Sequence, residues 1–292
     1  MIYKTLIQLI GNTPLLRINK LCKNNEIFVK LECFNPWFSI KDRAALSMIG
    51  DLEKKGVIGK GDIIVEATSG NTGIAVAGVC AVKGYKAKII MPEGMSVERI
   101  KLLNLLGAEV MLVKGGMEQA IKEAERLGNK SHHFFLRQFE NEANALAQEK
   151  TGEEIWRDMN KDIDIVVCAI GTGGTITGVG RYLKNKDKSV KVIGVEPSSS
   201  PFLSKGIKGE HKIQGIGAGF LPLILDESVI DEIVAVSDED AFDTMKRLAR
   251  EEGILAGISS GAALWAALNI KQRGKRIVVI FPDSAEHYLS VI

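Results

Sequence analysis

Lys41 lies in the segment Asn35-Pro36-Trp37-Phe38-Ser39-Ile40-Lys41-Asp42-Arg43. Ser39 reads as a helix N-cap with Asp42, three residues on, as its capping-box partner. The helix that follows puts Ala45, Met48, Ile49 and Leu52 on one face and stops at Gly56. A lysine in a first turn meets unsatisfied backbone N–H groups, whose partial positive charge disfavours an ammonium by about 0.3–1 kcal/mol. The same field makes a free amine more available, which is what attack on a carbonyl carbon requires. The competing reading is a solvated surface lysine, one among 38 basic residues.

Three glycine-rich turns carry a second chemistry, anion binding. Thr68-Ser69-Gly70-Asn71-Thr72-Gly73 and Gly171-Thr172-Gly173-Gly174-Thr175 follow apolar strands, and Gly257-Ile258-Ser259-Ser260-Gly261 opens a helix at such an edge. Ligands of open α/β sheets gather at the carboxyl ends of the strands, and N–H groups at helix starts bind anions. Read as a dinucleotide fingerprint, Gly171-x-Gly173 would pair with Glu196 as ribose acceptor, but its sixth position is Ile176. Read as a cup for a single phosphate, the turn offers backbone N–H groups and the hydroxyls of Thr172 and Thr175. The cup is the better fit, and a P-loop is excluded because no lysine follows the glycines. Taken singly, 68–71 is an ordinary capped turn and Ser259-Ser260 an N-cap.

The elements that must position these residues alternate. After the Gly11-Asn12-Thr13-Pro14 turn and the short run 15–18, strands are expected at 27–32, 63–65, 88–92, 108–113, 134–136, 163–170, 190–195 and 276–281. Helices are expected after Lys41 and at 73–83, 96–106, 117–127, 151–159, 175–183, from Asp238 or Asp240 to 252, and from 257. Strand and helix in turn, with short connections, specify an α/β fold with mostly parallel sheets. Residues 198–222 are punctuated by Ser, Gly and Pro and are too long for a plain loop, so they read as an Ω-loop or lid.

A chain of 292 residues is long enough for two lobes. Its 46% apolar and 25% charged residues and net charge of +2 are those of an ordinary soluble protein, with no basic block for nucleic acid or an anionic membrane. No signal-peptide h-region or membrane-length apolar run is evident, and Cys22, Cys33, Cys80 and Cys168 are far apart. Reduced thiols in a cytoplasmic protein are therefore expected. His132, His133, His211 and His287 have no metal-ligand spacing, and no metal is assigned.

Together and in this order, the Lys41 segment and the three turns resemble the fold-type II pyridoxal-phosphate enzymes, specifically the cysteine synthase (O-acetylserine sulfhydrylase) family. The resemblance spans Ile10-Gly11-Asn12-Thr13-Pro14-Leu15 to Tyr288-Leu289-Ser290. It implies a two-domain, tryptophan synthase β-like fold, with 1–39 plus 145–292 as the larger domain and 40–144 as a smaller, mobile one. It implies that Lys41 holds pyridoxal 5'-phosphate as a Schiff base, that Asn71 bonds the phenolic oxygen, and that Gly171, Thr172, Gly173, Gly174 and Thr175 bind the phosphate. Ser259 would face the pyridine nitrogen, with Ser260 as the alternative. Thr68, Ser69 and Thr72 would take the substrate carboxylate, with Gln138 assisting. The reaction implied is β-replacement through an aminoacrylate, giving L-cysteine from O-acetyl-L-serine and sulfide, with Lys41 as the base at Cα and with 198–222 and the region 92–130 closing over the site. A homodimer is implied, and a serine acetyltransferase is a possible partner.

The family pattern Pro-x-x-Gly-Glu-Arg-Tyr-Leu-Ser reads Pro282-Asp283-Ser284-Ala285-Glu286-His287-Tyr288-Leu289-Ser290 here, so Ala285 and His287 depart from it. The chain stops at Ile292 without the longer tail of many relatives, and Trp37 stands where many carry Gly or Ser and is expected to narrow access. The alternatives within the family are a cysteine β-lyase releasing hydrogen sulfide and a cystathionine β-synthase-like core. Such relatives tend to carry an acidic residue within the equivalent of 215–220, where Ala218-Gly219 stand here. An inactive amino-acid-binding module is the alternative from another class.

Overall fold

The alternation resolves into two separate sheets. The computed structural model describes residues 2–94 and 97–292. The chain runs through β1 (Leu15–Arg17), β2 (Glu26–Leu31), α1 (Lys41–Lys54), β3 (Ile63–Ala67), α2 (Asn71–Lys83), β4 (Lys86–Pro92), α3 (Val97–Leu105), β5 (Glu109–Val113), α4 (Met117–Gly128) and β6 (His133–Phe135). It continues through α5 (Glu142–Asp158), β7 (Ile165–Ala169), α6 (Gly174–Lys186), β8 (Lys191–Pro197), α7 (Phe202–Lys205), β9 (Glu232–Val236), α8 (Asp238–Arg247), α9 (Ile258–Leu268) and β10 (Arg276–Phe281).

One sheet has six strands in the order β1-β2-β10-β7-β8-β9, parallel except for the β1–β2 pair. The other has four parallel strands in the order β5-β4-β3-β6. Parallel strands need crossover helices, and those helices bury both faces of a sheet. Accordingly Val167 and Val279 of the larger sheet pack with α8 and α9, while Val166 and Val278 pack with α5 and α6. In the smaller sheet Ile64 and Ile89 pack with α1 and α2, and Val65 and Ile90 with α4.

Three expectations change. The helix expected at 151–159 begins at Glu142, because the Asn141 side chain caps it by accepting the Ala143 N–H at 3.0 Å. Its first turns carry Ala143 and Ala145, too small to make an amphipathic signal. The strand β9 was not expected; it is an edge strand, half-buried and paired only with β8. The turn 257–261 does not follow a strand; the Ala256↔Ser284 bridge holds it beside the end of β10 instead. Of the helix expected at 96–106, Ser96 lies outside the described residues. Glu196 is spent on structure: its carboxylate accepts the Leu203 N–H at 2.8 Å and the Ser204 N–H at 3.2 Å, capping α7. Among the described residues no helix is long and apolar enough to cross a membrane, and no cluster of three or more His, Cys, Asp or Glu could hold a metal.

The start of α1 is held by a buried ion network. Arg43 donates to Glu32 at 2.7 and 2.9 Å and to Glu154 at 2.7 and 2.8 Å. Lys30 pairs with Glu154 at 2.8 Å and donates to the Thr13 carbonyl at 2.6 Å, while the Thr13 hydroxyl donates to Glu32. The Gly11 and Asn12 N–H groups reach Asn35 and Glu154, which ties in the Gly11–Pro14 turn. Burial pushes the Glu154 carboxyl up, but Arg43 and Lys30 more than reverse this and hold it down to about 2. Removing one partner of a buried pair strands the other charge, at about 3–5 kcal/mol.

Arg43→Ala should therefore lower unfolding stability by about 3–5 kcal/mol, read from the denaturant midpoint. Because the folded carboxyl of Glu154 lies below its ordinary 4.5, its contribution is complete above that pH and is lost as pH falls toward about 2. Glu66, on β3, is buried, and its Oε2 has no partner among the described residues. Burial pushes its carboxyl up to about 8, so its contribution has the opposite sign: full below 4.5 and lost as pH rises through about 8. Glu66→Gln should raise the melting temperature relative to wild type above pH 8 and not at pH 4.

Candidate active site

Lys41 is the first residue of α1, at the junction of the two sheets. The Ile40 N–H donates to the Pro282 carbonyl at 2.8 Å, and Ser39 forms an antiparallel bridge with Asp283, just past β10. The expected capping box does not form. Ile40 is already helical (φ −60°, ψ −18°) and takes the cap position, and the Ser39 hydroxyl accepts the Lys41 N–H at 3.3 Å. Asp42 folds back to accept the Trp37 N–H at 2.7 Å, and its burial raises the carboxyl to about 8. Burial also lowers the Lys41 amine, and the Asp283 carboxylate opposes that. Lost solvation is what favours the free amine here.

Lys41 opens on a cavity of about 1190 Å³ between the sheets. Thr68, Ser69, Asn71, Thr72 and Gln138 line one side of it, where β3 passes into α2. Gln138 locks that turn: its amide donates to the Ala67 carbonyl at 2.6 Å and accepts the Thr72 hydroxyl at 2.7 Å. Gly171, Thr172, Gly173 and Thr175 line the cavity where β7 passes into α6. Gly174 is not on its wall; it starts α6, where a Cβ would meet the Asn144 Oδ1 at 2.5 Å. Asn144 in turn donates to the Thr172 hydroxyl at 3.2 Å. Within this turn Gly171 allows the closest approach, since a Cβ there would lie 2.3 Å from the Gly215 carbonyl oxygen. Ser259 lines the cavity, whereas Ser260 is fully buried off it, its hydroxyl without a partner among the described residues.

The outer walls come from α4 and from 208–220, with Met117 and Lys122 on one side and His211 and Phe220 on the other. Phe220 meets Phe139 edge to face at 5.0 Å. Trp37 does not narrow this space. It is 7% exposed and points into the core of the smaller sheet, against Gly78 of α2, where a Cβ would meet the indole at 2.0 Å.

Two wall residues, Arg99 and Asp283, had no role assigned from sequence, and His287, noted only as a departure from the family pattern, stands behind them. Arg99 is 2% exposed, lies over Gly70, donates to the Ser69 carbonyl at 3.0 Å and to Gln214 at 2.7 Å, and stacks on Tyr288 at 4.7 Å. Asp283 accepts from the Asn71 amide and the Tyr288 hydroxyl. His287 bonds the Asn71 Oδ1 at 3.0 Å, and burial lowers its imidazole. A polar residue just past a strand's carboxyl end was the available signal for Asp283. Arg99 had none, being one more charge on a short helix.

A family model described as pyridoxal-phosphate dependent enzyme matches residues 6–283. The chain is 50% identical to a cysteine synthase of Buchnera aphidicola, over 96% of this chain and 94% of that protein. It is 48% identical to cysteine synthase A of Escherichia coli, over 96% of this chain and 92% of that protein. The crystal structure of a hydrogen sulfide-producing enzyme from Fusobacterium nucleatum matches with a TM-score of 0.95 at 47% identity, over 98% of this chain and all of that one.

The close fit of Arg99 over Gly70 is testable in the free protein. Gly70→Ala would place a methyl 2.5 Å from the Arg99 side chain and should break the Arg99–Gln214 bond. A charged hydrogen bond of about 1.5 kcal/mol corresponds to roughly tenfold more opening, read as faster proteolysis within 208–220.

Proposed function

The chain belongs to the pyridoxal-phosphate dependent enzymes, and from that premise we propose that it makes L-cysteine from O-acetyl-L-serine and sulfide by β-replacement. The observation that carries this is the meeting, around one cavity, of Lys41, the 68–72 turn, the 171–175 turn and Ser259.

The residues fit the cofactor. The cup at 171–175 offers N–H groups at the start of α6 and the hydroxyls of Thr172 and Thr175, as a phosphate requires, and glycine at 171 keeps the backbone of 215 in place. Asn71 would reach the phenolic oxygen, Ser259 the pyridine nitrogen, and Lys41 the aldehyde carbon. Bound there, pyridoxal phosphate supplies an electron sink for the substrate carbon that bears the amine, so that a β-substituent can leave and a nucleophile can add. Thr68, Ser69 and Thr72, at the positive end of α2, hold the substrate carboxylate, with Gln138 keeping their turn in register. Lys41 Nζ, made less basic by burial, takes the proton from Cα and returns it after the nucleophile has added. The walls at α4 and 208–220 exclude water that would otherwise compete with sulfide.

The likeness to a hydrogen sulfide-producing enzyme favours a second reading, release of sulfide from cysteine by the same residues. The lobes are assigned to 1–39 plus 145–292 and to 40–144, in line with the separate sheets. A homodimer in the cytoplasm, with a serine acetyltransferase docking at the cleft, belongs to the same proposal.

The purified protein should be yellow, with the cofactor attached at Lys41 after borohydride reduction. Lys41→Ala should lose both the attachment and turnover; a variant that still converts O-acetylserine to cysteine overturns the assignment. Product analysis with O-acetylserine or cysteine as first substrate, and sulfide or water as second, separates the two readings.

A further inference from the structure

We infer that Asp283 is the counter-ion to which the Lys41 amine turns when it is protonated, and so is a positioning residue for Lys41. This rests on the reading of Lys41 given above. Asp283 is 2% exposed and lines the cavity beside Lys41. Its Oδ2 accepts from the Asn71 amide and the Tyr288 hydroxyl, while its Oδ1, equally buried, has no partner among the described residues. A buried carboxylate oxygen without a donor is costly, so native proteins seldom leave one unless a function uses it. Lysine, with three N–H donors and a positive charge, is the side chain suited to fill that gap.

The backbone fixes the two groups relative to each other. The Ser39↔Asp283 bridge and the bond from the Ile40 N–H to the Pro282 carbonyl, 2.8 Å long, hold Asp283 against the residues that immediately precede Lys41. The Gly257 N–H donates to the Asp283 carbonyl at 3.1 Å, and a Cβ at Gly257 would lie 2.0 Å from Oδ1. The free oxygen thus leans over the turn that carries Ser259. Only glycine at 257 leaves room for it.

The other charged or titratable groups facing this pair are Asp42 on α1, Arg99 on α3, Cys33 after β2, and Glu286, His287 and Tyr288 after β10. Arg99 is turned to Ser69, Gln214 and the Tyr288 ring, and Asp42 to Trp37. Asp283 is the carboxylate that opposes the effect of burial on Lys41. It keeps the displaced amine at the cavity wall, in reach of the substrate, and limits how far burial strips it of basicity.

The test uses the cofactor-stripped protein. The rate at which pyridoxal phosphate attaches to it is measured against pH, with the site of attachment read by borohydride reduction and peptide mass. The rate follows the deprotonated Lys41 amine. Asp283→Asn should move the half-point of this profile down by about one pH unit or more. Glu286→Gln, which removes an exposed carboxylate three residues away, should leave the half-point in place. Tyr288→Phe takes a donor from Asp283 and should move it up; this variant decides alone if Asp283→Asn fails to fold. A half-point that Asp283→Asn leaves unmoved or raises, that Glu286→Gln shifts as much, or that Tyr288→Phe leaves unmoved or lowers overturns the counter-ion. Attachment at another lysine overturns the reading of Lys41 itself, and with it this one.

Discussion

The Arg43 guanidinium is the contact on which the rest of the site depends. Its donors reach Glu32 at the end of β2 and Glu154 on α5, while its own backbone forms the first turn of α1, two residues after Lys41. Lysine 41 is thereby set at the junction by a rigid planar fork, a geometry that Arg supplies and Lys does not. All three side chains are nearly free of solvent, so each is tolerable only while the others are present. Lys30, Thr13 and the Gly11–Asn12 backbone complete the set, which explains why a turn so early in the chain bears on chemistry at residue 41.

From that anchor the cavity is built by close approach. Gly70 lets Arg99 lie over the start of α2, Gly171 lets 215 come against the 171–175 turn, and Gly257 makes room for Asp283. In each case a methyl group would overlap a neighbour: the Arg99 side chain, the Gly215 carbonyl oxygen or the Asp283 Oδ1. These glycines serve spacing, since their conformations at 171 and 257 are open to any residue; left-handed backbone is needed at Gly173, where φ is +85°.

Electrostatically the cavity balances two tendencies. Burial drives the Lys41 amine toward its neutral form, which suits a base and a nucleophile, while Asp283 draws it back toward ammonium. The hydrogen bonds from Asn71 and Tyr288 engage only one oxygen of that carboxylate. The network from Arg99 through Tyr288, Asp283 and Asn71 to His287 brings residues of α3, α2 and the segment after β10 into one polar cluster. The side chains of 208–220 meet it through Gln214.

Much of this was legible in the sequence. Apolar runs bounded by Gly and Pro identified the strands through β8 and β10, because parallel strands bury both faces and so read as continuous hydrophobic stretches. The same signature is present at β9, whose Ile233-Val234-Ala235-Val236 run was passed over beside the stronger helix start at Asp238. The first turns of α5 were also missed, because alanines pack closely there without periodic contrast. The order of the Lys41 segment and the three glycine-rich turns was enough to identify the chemistry through the family it resembles, although each motif alone encodes only a turn or a helix start. Sequence placed Trp37 at the cavity and left Arg99 and Asp283 unmarked; the fold reverses all three. Those assignments depend on which side chains from distant segments face one another, and that is settled only when the two sheets pack. Local sequence thus determined the turns and helix starts that line the cavity. The tertiary structure decided which charges surround Lys41, since burial and pairing are properties of the assembled core.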